Sequence, residues 1–205
     1  MIDYVTLMLT NMISGLLVLA AYLIWGFEHA EGRVWAPVFG IVGLVATVCG
    51  LAMAFTWPIP APYSMAYGEM SVLLGVLFLG AAWSLAAGYT LWPLGIYAFI
   101  PGAAAILLGV RIIHLSLTQA PVMSGIGFIL TGLGGIGAGV TLWKRQARGL
   151  RVVGAMVLLV AAVIWIITAF MAYWMHMEPP KSQQSEQSRY ESPVVEGPSP
   201  AVAYA

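Results

Sequence analysis

Residues 35–56 read WAPVFGIVGLVATVCGLAMAFT, 22 positions without a charge. As a helix rising 1.5 Å per residue, the stretch is about 33 Å long. That matches the ~30 Å of hydrocarbon in a bilayer. Outward from it, five more apolar stretches of similar length run from about Tyr4 to Gly26, Met65 to Gly88, Trp92 to Leu115, Val122 to Trp143 and Val152 to Trp174. Lipid cannot satisfy exposed backbone groups, so such stretches must be helices, and their length excludes the short alternating strands of an outer-membrane barrel. The predicted fold is all-α, a polytopic bundle of six transmembrane helices. Trp25, Trp35, Trp57, Trp92, Trp143 and Trp174 stand near the proposed ends, where amphipathic rings favour the headgroup region.

Composition agrees. Of the 205 residues 61% are hydrophobic and 8% charged, with a mean hydropathy of +0.92, whereas charged residues make up about a quarter of soluble domains. Formal charges cancel, and no basic face exists to engage phosphates along a strand, so nucleic acid is excluded as a partner. The lone Cys49 lies within an apolar run and reads as a small hydrophobe. The N-terminus lacks the basic segment of a signal peptide, and the first span is expected to be retained.

Lys144, Arg145, Arg148 and Arg151 crowd the predicted loop between spans five and six, and Arg33 lies between spans one and two. The loops after spans two and four carry no Lys or Arg. The positive-inside rule then puts the basic loops in the cytoplasm and both termini outside. Topogenesis accounts for the basic loop; attraction of anionic headgroups is its second reading. The chain divides into a six-helix domain over 1–175 and an extracytoplasmic tail over 176–205. That tail is rich in Ser, Gln, Pro and Glu, a composition that predicts disorder.

Ionisable residues within spans are costly and mark candidate sites. Glu69 in span three and Arg111 in span four are expected at matching depth as an intramembrane ion pair, with His114 one turn from Arg111 and Asn11 of span one completing a polar cluster. The pair either locks two helices together or serves a proton, quinone-headgroup or ligand site. Met175-His176-Met177 at the end of span six, with His114, suggests a soft site for Cu(I). His114 with His176 could also ligate haem b. His29, between Glu28 and Glu31, reads as a solvated loop residue. In span five Gly135 and Gly139 form a small-xxx-small step that Thr131 extends, the pattern of a helix-packing face. Pro101 interrupts span four and Pro37 opens span two; no internal repeat accompanies them, which weighs against a transporter.

Tyr67-Gly68-Glu69 with the following Leu73 to Leu77 run, and Gly109-Val110-Arg111-Ile112 leading to Leu117 through Pro121, resemble a family of small prokaryotic multi-spanning membrane proteins classified only as a domain of unknown function. The likeness covers most of spans three to five. It implies that Glu69, Arg111 and the loop Thr118 to Pro121 belong to the defining part, that the tail and Met175-His176-Met177 lie outside it, and that the setting is a prokaryotic cytoplasmic membrane. It implies no activity. No metalloprotease motif, nucleophile elbow or dinucleotide fingerprint is present, so an enzyme would have to work within the bilayer. The leading expectation is a non-catalytic accessory or scaffold subunit of a larger membrane complex, respiratory or otherwise redox, with bound lipids and other subunits as partners. A redox or metal-handling protein using the outer Glu/His/Met cluster is the alternative, and a small-solute transporter the third.

Overall fold

The computed structural model describes residues 4–27 and 32–177. Six helices long and apolar enough to cross a membrane account for nearly all of them: α1 (Val5–Gly26), α2 (Gly32–Thr56), α3 (Ala61–Ala87), α4 (Trp92–Leu115), α5 (Pro121–Trp143) and α6 (Arg148–His176). No strand occurs among the described residues. His29 and the expected tail beyond residue 177 lie outside them.

The helix ends depart from expectation where local chemistry overrides hydropathy. α3 starts at Ala61, before the expected Met65, because Pro62 sits in its first turn, where a missing N–H costs nothing. α6 starts at Arg148, so Arg148 and Arg151 belong to its first turn and only residues 144–147 form the loop. Pro101 does not interrupt α4, which is continuous from Trp92 to Leu115. Two π turns, Tyr22–Gly26 in α1 and Ser64–Glu69 in α3, widen the helix locally. The left-handed Gly88 (φ 78°) closes α3 in a conformation glycine adopts without penalty.

In contact order the helices run α3–α2–α1–α6–α5–α4, and α3 and α4, the two ends of this series, meet only sparsely. The tightest contacts join α2 to α3 and α4 to α5, and both are built on glycines seven residues apart. Gly43 faces Gly75 and Gly50 faces Gly68, while Gly95, Gly102 and Gly109 face Gly139, Gly132 and Gly125. A Cβ on Gly132 would lie 2.4 Å from the Gly102 carbonyl oxygen, and one on Gly109 would lie 2.5 Å from that of Gly125. The backbones themselves are in contact. A seven-residue repeat keeps such a seam aligned between helices crossing with the left-handed angle of coiled coils.

The expected packing face of Gly135, Gly139 and Thr131 is corrected accordingly. Gly139 packs on Gly95, but nothing lies within 4 Å of a Cβ on Gly135, because the contact recurs every seven residues and not every four. Outward faces carry Phe55, Trp83, Ile100, Trp143 and Trp174, as contact with lipid requires.

Gly132→Ala should force α4 and α5 apart, at the roughly 1–3 kcal/mol typical of overpacking, and lower the apparent melting temperature in detergent. Gly135→Ala should leave it unchanged. Equal effects from the two substitutions would refute the assigned register.

Candidate functional site

Where α3 and α4 fail to close, the wall of the bundle has a window. At one end the Tyr63 hydroxyl donates to the carbonyl of Leu117, tying the start of α3 to the α4–α5 loop. At the other, Gly80 faces the Leu94 side chain, 3.1 Å from an added Cβ. Met8 and Met12 of α1 and Met70 of α3 line the opening, opposite Ala98, Pro101 and Gly102 of α4. Thr131 and Gly135 of α5 line it too. The glycine ladders produce this opening: they hold α3 against α2 and α4 against α5, each facing away from the other.

Three polar side chains of the window wall are bonded within the protein. Asn11 Nδ2 donates to the Val42 carbonyl at 2.9 Å, and Ser71 Oγ to that of Ala46 at 3.0 Å. Thr131 Oγ1 donates to the Gly127 carbonyl and accepts from Trp165 Nε1 at 2.9 Å. Trp165 is fully buried and meets Phe128 edge-on, and Phe128 in turn contacts the Tyr67 ring. Gly127 makes room for the indole, which a Cβ would meet at 2.9 Å. The window therefore presents a surface that is chemically apolar despite its Asn, Ser and Thr.

The expected Glu69–Arg111 pair does not form among the described residues. Both side chains are exposed, as is His114. Glu69 shares an outward stripe of α3 with Pro62, Val76 and Trp83, and Arg111 one of α4 with Ile100, Leu107 and His114. Asn11 donates to Val42, and the anticipated polar cluster is not assembled among the described residues.

Nor are His114 and His176 brought together. α5 lies between α4 and α6 in the contact order, and His176 Nδ1 is 3.3 Å from Thr6 Oγ1 of α1. Met175 and Met177 are exposed at the same end of α6. Among the described residues no group of three or more His, Cys, Asp or Glu could hold a metal ion.

At the opposite end of the bundle the basic residues part company. Arg33, Arg145 and the buried Arg151 line an open vestibule, whereas Lys144 and Arg148 do not line it. Arg145 and Arg151 both lie over the Phe27 ring, with guanidinium carbons 5.3 and 5.4 Å from its centroid. Sequence reasoning took these residues as topogenic charges, with attraction of anionic headgroups as the second reading, and did not divide them. It missed the Trp165–Thr131 bond and the glycine ladders, although the sevenfold spacing of 95, 102, 109 and of 125, 132, 139 was there to be read.

Thr131→Val should strand the buried Trp165 N–H, at a cost of about 1–3 kcal/mol. Trp165→Phe should remove donor and indole together, and adding it to Thr131→Val should cost less than the two separate losses combined. Additive losses in thermal unfolding would mean that the bond contributes nothing.

Among known families, one described as "Protein of unknown function (DUF981)" matches residues 1–179. The match extends past the expected spans three to five to all six helices, and it includes Met175-His176-Met177, which the resemblance had placed outside. No curated protein matches the chain, and no solved structure does.

Proposed function

We propose, for a chain that belongs to the DUF981 family of proteins of unknown function, a role as a non-catalytic accessory or scaffold subunit of a larger membrane complex. One observation carries this reading. Glu69 and Arg111 stand on outward apolar stripes to either side of the window, and neither is paired with another described residue. Ionisable groups within spans ordinarily pair with one another or with a neighbour, because lipid solvates them poorly. A partner helix lying along the α3–α4 face would meet a carboxylate on one flank and a guanidinium on the other, and opposite charges on that helix would fix its register. The largely apolar lining between them would supply close packing with few polar atoms to desolvate. The basic end faces the cytoplasm in this reading, by the positive-inside rule, and the membrane is a prokaryotic cytoplasmic membrane.

Purification in mild detergent from native membranes should yield the chain with at least one other subunit. Glu69→Gln and Arg111→Met should each release that subunit while leaving the thermal stability of the isolated chain within experimental error. Recovery of the chain alone, or retention of the partner by both variants, would refute the proposal.

A further inference from the structure

We infer that the vestibule at the basic end is a binding site for the phosphate headgroup of an anionic membrane lipid. Three arginines reach it from three separate elements: Arg33 from the first turn of α2, Arg145 from the α5–α6 loop and Arg151 from the first turns of α6. Guanidinium groups are planar donors that match phosphate oxygens in pairs. Two of the three stand over the same aromatic ring, Phe27, which holds their guanidinium groups near one another. Arg33 lies beside the α3–α4 turn, with Nη2 3.8 Å from where a Gly88 Cβ would stand, and Thr90 and Gln146 add neutral hydrogen-bonding groups to the wall. Five cations, Arg33, Lys144, Arg145, Arg148 and Arg151, belong to this end, against two carboxylates in the adjoining sequence, Glu28 and Glu31. The excess is positive.

The geometry favours a lipid over a soluble anion. Arg145 and Thr90 also line a side groove with Trp92, Leu142 and Trp143, and both tryptophans are at least half exposed. Exposed tryptophans at helix ends mark the headgroup level. The groove thus runs from the outer surface of the bundle, at that level, to the guanidinium groups. A diacyl lipid can leave its chains against α4 and α5 and pass its phosphate inward past Arg145. This assigns Arg33 and Arg145 a binding role beyond topogenesis, while Lys144 and Arg148 keep only the topogenic one.

The full chain in detergent is titrated with phosphatidylglycerol or phosphatidylcholine, and retained lipid is counted by native mass spectrometry. Phosphatidylglycerol should be retained in preference. Arg33→Gln and Arg145→Gln should each weaken retention about fivefold, Trp143→Ala should weaken it by a similar factor, and Arg148→Gln and Lys144→Gln should leave it unchanged. Equal retention of the two lipids by the unmodified chain would overturn the site without recourse to any variant. Losses from Arg148→Gln or Lys144→Gln matching those from Arg145→Gln would show a diffuse surface charge and overturn it as well. Displacement of phosphatidylglycerol by millimolar inorganic phosphate would show a soluble anion to be the ligand and overturn the assignment to lipid.

Discussion

The fold depends on backbone-to-backbone contact at glycine. In lipid the apolar face of a helix gains nothing by leaving its surroundings, since acyl chains are as apolar as leucine, and association rests on packing. Pairs such as Gly43 with Gly75 and Gly102 with Gly132 bring main chains together until a single added Cβ would overlap a carbonyl oxygen. Dispersion gains fall steeply with separation, so close approach at each rung lets every flanking side chain along the two helices reach its neighbour. The same interaction, used twice, turns α2 with α3 and α4 with α5 into two antiparallel hairpins.

The rest follows from how those hairpins are connected. α1 and α6 pack between them, with Leu158, Ala161, Ala162 and Trp165 wholly buried at the centre. The outer helices of the two hairpins are left facing each other across a seam no ladder closes. The Tyr63–Leu117 bond and the Gly80–Leu94 contact bridge it, and the window lies between them. Trp165 reaches the window from behind, its N–H held by Thr131, so one buried polar bond is shared between the central core and the window wall.

Hydropathy made the six spans legible to within a few residues, because bilayer thickness sets helix length directly. The register was legible in principle but was read over the wrong distance: Gly135 and Gly139 look like a four-residue step, while the contacts select Gly125, Gly132 and Gly139. Reasoning about Glu69 and Arg111 failed because depth says nothing about azimuth. Two residues on neighbouring spans can face opposite ways, and here both belong to outward stripes. The division of the basic residues into Arg33, Arg145 and Arg151 inside the vestibule and Lys144 and Arg148 outside it likewise depends on helix rotation, which a loop's charge count does not contain.

The most direct measurement is cysteine cross-linking in native membranes, with Cys49→Ala removing the chain's one native thiol. A Cβ on Gly40 would lie 3.7 Å from that of Ala82, within the roughly 3.5–4.5 Å a disulfide spans. Gly40→Cys with Ala82→Cys is predicted to close rapidly under mild oxidation. Leu77→Cys with Ala98→Cys, on opposite sides of the window, is predicted to stay reduced. Rapid closure of the second pair, or failure of the first, would contradict two glycine-locked hairpins flanking an open seam.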